Sequence, residues 1–168
     1  MRAFIAIDLP QEMHPALQQI QEQIKAFGSF SFPRSFHLTL FFLGEISEQQ
    51  KEDVVKKLST ARFSPFSFTL SEIGFFDKRV VWAGIRPEEE TIKLQKAICS
   101  ALGMRDDRFH PHITLARIKQ AKPGLKEACE EMRLPSEEIR IEKFTLYKST
   151  LLADGPRYET IASFEGFK

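Results

Sequence analysis

Two copies of one four-residue pattern, His-x-Thr-Leu, restrict the folds open to this chain more than any other feature of its sequence. The first copy spans residues 37–40 and the second spans residues 112–115. Side chains on a β-strand alternate between its two faces. Each copy would therefore bury its leucine side and present a histidine and a threonine together on the opposite face. We expect two half-buried strands that carry the same pair of polar side chains.

The segments around the two motifs repeat one order of elements: a strand, a helix, the motif strand, a second helix and a further strand. The first helix begins at Gln11, 26 residues before His37, and the third begins at Glu88, 24 residues before His112. This near-equality indicates an internal duplication, and each unit is too small to form a substantial core alone. We predict one domain over residues 1–168, α+β in class and bilobal. Its two pseudo-symmetric lobes would each have an antiparallel sheet and two helices, with the active-site cleft between them.

Hydrophobic periodicity and turn residues give the individual elements. Helices are predicted from Pro10, after a Ser47–Gln50 capping box, over 88–102, and from Pro123. Strands are predicted over 3–9, 36–43, 66–73, 79–85, 112–118, 139–147 and 158–164. The pattern also predicts a hairpin turn at 74–78 and a turn at Gly155-Pro156.

Composition excludes several classes of function. The net charge of +1 is too small for a long basic face that binds duplex nucleic acid. The two cysteines, Cys99 and Cys129, have no metal or redox spacing, so we expect buried, reduced side chains. No apolar run reaches the roughly 20 residues of a membrane span. We therefore expect a cytoplasmic protein that does not associate with a membrane.

The paired motifs suit acid–base chemistry on an anion. A single histidine on a strand is more often structural than catalytic, but two in one cleft can act as a general acid and a general base, because the imidazole pKa of about 6.5 allows either charge state near neutral pH. The hydroxyls of Thr39 and Thr114 can donate hydrogen bonds to phosphate oxygens without repelling them. Such a set allows displacement at phosphorus and requires no metal or cofactor.

Longer stretches around these motifs resemble a known family. The segments HLTLFFLG (residues 37–44), PHITLAR (residues 111–117) and STL-x-x-x-GP-x-Y (residues 149–158) are similar to those of the two-histidine (2H) phosphoesterases. The flanking FLG, TLAR and GP-x-Y favour the branch of bacterial and archaeal RNA 2′,3′-cyclic phosphodiesterases, first described as 2′-5′ RNA ligases. The opening RAFIAIDLP also resembles this branch, so the likeness covers essentially the whole chain.

The resemblance implies roles that the motifs alone leave open, since the two motifs are chemically alike. His37 would donate a proton to the leaving 3′ oxygen, and His112 would be the base that activates water. Thr39 and Thr114 would bind the phosphate, and the product would be a 2′-phosphate. The partners would be RNA 3′ ends, or nucleotides, that carry a 2′,3′-cyclic phosphate. A monomer is expected, because the cleft lies within one chain.

Two further residues are candidates for substrate binding. Strict alternation from His112 places Arg117 on the buried face, whereas the family places this arginine at the ligand. A bulge or the end of the strand near Ala116 would reconcile the two. Phe41 shares a strand face with His37 and is a candidate stacking platform for a base. Core packing is the alternative reading of Phe41.

Other interpretations remain open. His110 and His112 could begin a zinc site, but no third ligand stands at a recognised spacing. The same histidine pair could join RNA ends through 2′-5′ linkages, or act on ADP-ribose cyclic phosphates or small cyclic nucleotides. A non-catalytic RNA-end-binding module is the alternative from a different class. A module of that kind needs only donors and positive charge, so two intact motifs favour an enzyme.

Overall fold

The computed structural model describes residues 1–167, which form nine strands and four α-helices. The strands are β1 (Arg2–Asp8), β2 (Gly28–Ser31), β3 (His37–Glu45), β4 (Phe66–Phe76), β5 (Val80–Arg86), β6 (Ile113–Ala121), β7 (Ile139–Ile141), β8 (Lys143–Leu152) and β9 (Gly155–Glu165). The helices are α1 (His14–Ile24), α2 (Glu48–Leu58), α3 (Glu89–Leu102) and α4 (Leu125–Glu131). The predicted α+β class with four helices is confirmed. The short strand β2 was not predicted.

The strands form one antiparallel sheet whose centre is the pair of motif strands. The order is β7-β4-β5-β6-β3-β1-β8-β9, and β2 pairs with β6 beside this path. β7 and β8 lie toward opposite ends of the order, yet only Glu142 separates them in the chain. The sheet must therefore curl until its ends meet, and the N–H of Gly166 donates to the Glu142 carbonyl at 2.7 Å. The prediction of one continuous strand over 139–147 is wrong, because the chain changes sheet edge at Glu142.

The two predicted units exchange their last strands. β1 and β3 come from the first unit, but β8 of the second unit pairs with β1. In the other half of the sheet, β5 and β6 pair with each other while β4 of the first unit pairs with β5. Each half of the sheet is thus built from both units. Neither unit can complete its half without the other.

The core lies on one face of the curled sheet, where the helices pack. On β1, Ala3, Ile5 and Ile7 belong to this core, whereas the alternating residues Phe4 and Ala6 face the other side. The helices pack their apolar faces against this core, as the spacing of their apolar residues predicted. α2 begins with the expected capping box, in which Ser47 Oγ accepts from the Gln50 N–H at 3.1 Å and Gln50 Oε1 accepts from the Ser47 N–H at 2.8 Å. The opposite face of the sheet is not covered by helices, and the candidate site lies there.

The cysteines lie as the sequence predicted. Cys99 and Cys129 are both buried, and neither forms a disulfide. Across residues 1–167, no helix combines the length and the apolar character needed to cross a membrane.

Two turns differ from the predictions. β4 continues through Gly74 to Phe76, so the turn falls at residues 77–79, where Asp77 has a φ of 50°. The last hairpin turns at residues 153–154, and Gly155 begins β9 with a φ of 123°. Glycine is required at position 74 because a neighbouring side chain lies close to its backbone, and not because the chain turns there. It lies opposite Trp82 on β5, and a β-carbon there would overlap the indole ring.

We expect Gly74→Ala to destabilise the protein by about 1–3 kcal/mol, the usual cost of overpacking. Because Trp82 is the only tryptophan in the sequence, its fluorescence emission reports directly on displacement of the ring. Gly103→Ala is the control, since open space surrounds that position at the end of α3. The control should lose about 1 kcal/mol through its left-handed backbone without changing the emission. An unaltered spectrum in Gly74→Ala would contradict the close approach.

Candidate active site

The polar side chains of both motifs meet where β3 and β6 pair. Leu38 lies directly opposite Ile113, and both are fully buried on the core face. In an antiparallel pair, residues on either side of such a position also face each other. The histidine of each motif therefore lies across from the threonine of the other. This motif square consists of His37, Thr39, His112 and Thr114, all half-buried.

A β-bulge at Leu40 ends the regular alternation of the first motif strand. Thr39 lies opposite Ala6 and Phe41 lies opposite Ile5, so Leu40 is the extra residue, and it is 1% exposed. Beyond the bulge, each side chain points to the face opposite to the one that strict alternation predicts. Phe41 packs against the core, whereas Phe42 is 69% exposed. The predicted face of Phe41 is wrong, and its alternative reading as a core residue agrees with the structure.

Phe42, and not Phe41, points to the face of the sheet that carries His37. Its ring lies 6.2 Å from that of Phe4, and the Phe4 ring lies 5.2 Å from the imidazole of His37. Phe42 therefore stands at the exposed border of the site, on the same face as the motif square.

The second motif strand has a bulge at the equivalent place. Thr114 lies opposite Trp82 and Ala116 lies opposite Val81, so Leu115 is the extra residue. Of the bulge and the strand end expected near Ala116, the structure has the bulge. It leaves Ala116 buried and Arg117 exposed.

The exposed Arg117 guanidinium acts on two groups of the site. Burial is the main cause at both groups, and it lowers the pKa of His112 and raises the pKa of Tyr158. The positive charge of Arg117 acts to lower the pKa of each. Arg117 thus lies close enough to the motif square to interact with an anion there.

An aromatic group surrounds His37. The rings of Phe4 and Tyr158 lie 5.2 Å and 5.4 Å from the imidazole. Burial is the main cause that lowers the pKa of His37 from 6.5 to about 4. The carboxylate of Asp8, the cross-strand partner of His37, opposes this effect, and the charge of His112 adds to it.

A different group surrounds His112. Its Nδ1–H donates to the carbonyl of His110 at 2.7 Å, which leaves Nε2 as the acceptor of the neutral ring. Phe76 contacts the imidazole edge-on at 4.7 Å. Burial lowers the pKa of His112, and the charges of His110 and Arg117 lower it further, against the raising effect of the hydrogen bond. In the free protein near pH 7 both histidines of the square are therefore mostly neutral.

A family model described as the 2′-5′ RNA ligase superfamily matches residues 9–151. The chain belongs to this superfamily of two-histidine phosphoesterases. An RNA 2′,3′-cyclic phosphodiesterase of Thermotoga maritima is 33% identical over 99% of this chain and 97% of its own length. A protein of the same name from Methanocaldococcus jannaschii is 32% identical over 96% of this chain and 98% of its own length.

Solved structures of the superfamily have the same fold. Escherichia coli LigT in its apo form superposes with a TM-score of 0.81 at 28% identity, over 99% of this chain and 98% of LigT. LigT complexed with 3′-AMP superposes with a TM-score of 0.76 at 29% identity, over the same shares. The expected two-histidine phosphoesterase fold is thereby confirmed.

Several residues beside the motif square were missed by the sequence reasoning. Asp8 and Tyr158 lie in the opening and closing segments that resemble the family, so a signal for them existed. Tyr147, Phe76 and Trp82 belong to strands without a His-x-Thr-Leu motif. Only the pairing of distant strands brings them to the histidines.

No metal-binding cluster accompanies the square in the described chain. Within residues 1–167, no three His, Cys, Asp or Glu side chains are arranged to hold a metal ion. His110, considered as a zinc ligand, lies with its ring 5.0 Å from Trp82 and 5.4 Å from Phe76. Arg34, near the first motif, pairs with Asp154 at 3.1 Å.

The low pKa of His37 predicts a specific loss of stability in acid. Unfolded His37 takes up a proton near pH 6.5, but the folded protein resists this until about pH 4, so stability falls as pH decreases through this window. We expect this one group to lower the unfolding free energy by about 3 kcal/mol between pH 7 and pH 4.

Urea unfolding at both pH values measures this loss, and His37→Gln should lose about 3 kcal/mol less than the unaltered protein across the same range. His14→Gln controls for removal of a histidine outside the cleft. Equal pH dependence in the unaltered protein and His37→Gln would contradict the buried, neutral imidazole.

Proposed function

We propose that this protein hydrolyses terminal 2′,3′-cyclic phosphates of RNA to 2′-phosphates, without a metal, by general acid–base catalysis between His37 and His112. The observation that carries the proposal is the motif square, which offers two imidazoles and two hydroxyls to one ligand. The names of the similar proteins, RNA 2′,3′-cyclic phosphodiesterases, supply the class of substrate. LigT in complex with 3′-AMP is a related fold with a phosphorylated nucleoside.

His112 is the base in this proposal. The hydrogen bond from its Nδ1–H to the His110 carbonyl leaves the lone pair on Nε2. The Arg117 charge and burial favour the neutral ring that a base requires. Nε2 removes a proton from water while the water oxygen bonds to phosphorus.

His37 is the acid, and it donates its proton to the 3′ oxygen as the bond between phosphorus and that oxygen breaks. The products are a 3′ hydroxyl and a 2′-phosphate, with His37 neutral and His112 protonated. Burial keeps His37 neutral in the free protein, so the acid role depends on the bound substrate. The cyclic phosphate brings a negative charge into the cleft and stabilises the imidazolium, so substrate raises the pKa of His37.

Thr39, Thr114 and Arg117 would hold the phosphate. The two hydroxyls stand diagonally in the square and donate to non-bridging oxygens. The Arg117 guanidinium, beyond its bulge, can bind the same phosphate or stack on a base. These donors favour the transition state, where charge on the phosphate oxygens is redistributed.

Phe42 replaces Phe41 as the proposed platform for a nucleobase. An exposed ring beside a phosphate site can stack on any base, so it contributes affinity with little sequence preference. The small net charge agrees with recognition of an RNA end instead of a long duplex. We further propose that the protein acts as a cytoplasmic monomer, because the square forms within one chain.

A short RNA with a 2′,3′-cyclic phosphate, incubated with EDTA, tests the reaction. We expect full turnover and a 2′-phosphate product, identified by chromatography against both phosphate isomers. Loss of turnover in EDTA would contradict the metal-free mechanism, and a 3′-phosphate would reverse the leaving oxygen. His37→Ala and His112→Ala should each lower kcat at least about 100-fold, while His14→Ala keeps normal turnover. Near-normal rates in either motif variant would overturn the paired-histidine mechanism.

The neighbouring phenylalanines provide a matched pair of variants. Phe42→Ala should raise KM for the RNA about tenfold or more, the effect of losing one stacked base of about 1–3 kcal/mol, with unchanged stability. Phe41→Ala should instead lower the unfolding free energy by about 2–3 kcal/mol, with little change in KM. Steady-state kinetics and urea unfolding measure the two effects. The reverse pattern would contradict the change of face at Leu40.

A further inference from the structure

We propose that Asp8 and Tyr147 form a positioning pair that orients His37 and makes it, instead of His112, the proton donor. This inference rests on the proposed function and adds the residues that distinguish its two chemically alike histidines. Neither residue belongs to a His-x-Thr-Leu motif, and neither needs to touch the substrate. Both would act through the imidazole.

The strand register and three side-chain contacts place the pair beside His37. Asp8 is the cross-strand partner of His37 at the end of β1, and side chains of directly opposite residues stand about 5 Å apart. The Tyr147 hydroxyl donates to Asp8 Oδ2 at 2.6 Å. The Tyr147 ring stacks on Phe4 at 5.3 Å, and Phe4 in turn contacts His37. Tyr147 thus fixes the carboxylate on the side of the sheet where the imidazole lies.

The hydroxyl of Tyr147 is suited to this task. Burial, followed by the hydrogen bond and the charge of Asp8, raises the pKa of Tyr147 above its ordinary value. The hydroxyl therefore remains a donor over the whole range in which histidines titrate. A donor that keeps its proton holds Asp8 as a hydrogen-bonded anion.

The other half of the sheet has no such pair at the equivalent positions. By the register of the motif strands, Gly84 stands across from His112 where Asp8 stands across from His37. Phe76, opposite Val80, occupies the place of Tyr147, opposite Phe4. The duplicated scaffold therefore offers an acidic and a hydroxyl side chain to one histidine.

The equivalent positions beside His112 offer no polar side chain. There, a hydrogen atom and an apolar ring replace the carboxylate and the hydroxyl. This difference breaks the symmetry of the site in the direction that acid–base catalysis requires. A carboxylate favours the imidazolium of an acid, and an apolar contact favours the neutral ring of a base.

Three charged or titratable groups lie around His37: Asp8 on β1, Tyr158 on β9, and His112 immediately before β6. Tyr147 on β8 is connected to His37 through Asp8 and Phe4, and Arg117 on β6 acts on Tyr158. Among them Asp8 carries the negative charge. With phosphate in the cleft, the carboxylate and the phosphate together favour the imidazolium, whereas burial and the charge of His112 oppose it.

The pH dependence of kcat tests the pair, because the alkaline limb reports the acid in the complex. We expect Asp8→Asn to move this limb down by about one pH unit, since an opposite charge nearby shifts a pKa by roughly 1–3. Above the limb, kcat then falls about tenfold. Asp8→Glu keeps the charge and should restore the limb. Asp154→Asn, which removes another exposed carboxylate, should leave the profile unchanged.

Tyr147→Phe separates orientation from charge. It removes the hydrogen bond but leaves the carboxylate, so kcat should fall about threefold to tenfold, the loss expected for one hydrogen bond, without movement of the alkaline limb. An unchanged kcat in Tyr147→Phe would contradict the positioning role of the hydroxyl. An unchanged limb in Asp8→Asn would overturn the inference.

A titration of the His37 imidazole by NMR in inorganic phosphate keeps this test independent of turnover. The pKa of His37 should be lower in Asp8→Asn than in the unaltered protein by about one unit. Equal values would overturn the inference. Absence of turnover in the unaltered protein would contradict the proposed function instead, and the titration would still decide whether Asp8 acts on His37.

Discussion

The pairing of Leu38 with Ile113 is the constraint on which the candidate site depends. It joins the two halves of the sheet through their motif strands and places each histidine across from the other motif's threonine. A slip of one residue would turn one motif's polar side chains into the core and its apolar ones out to solvent. Both residues are fully buried, so the hydrophobic effect that stabilises the core also fixes the geometry of the polar face.

The bulges at Leu40 and Leu115 extend this constraint along both strands. Each inserts a buried leucine and reverses the faces beyond it, so the residue two places after the leucine reaches the site. In one strand that residue is Phe42 and in the other it is Arg117. A repeated backbone irregularity thus gives the cleft one aromatic and one cationic border.

The sequence allowed the local features to be predicted, but not those set by pairing between distant strands. The motif strands, the four helices and the capping box at Ser47 follow from periodicity and spacing within short windows. The face of Phe41 was predicted wrongly because the bulge at Leu40 depends on the register with β1. The break at Glu142 depends likewise on two sheet edges that meet. Tyr147 and Asp8 stand 139 positions apart, and no local pattern relates them.

A duplicated scaffold creates a difficulty for acid–base catalysis, because equivalent positions tend to have equivalent pKa values. One imidazole must be protonated when the other is neutral. Burial cannot supply the difference in the required direction, since it lowers the pKa of both histidines and is the main cause that brings the pKa of His37 to about 4. The difference must come from neighbours that the duplication did not preserve. A carboxylate faces one histidine, and a guanidinium and a backbone carbonyl lie beside the other. In the proposed mechanism the motifs would provide the reactive groups, and their unlike surroundings would provide the direction of proton transfer.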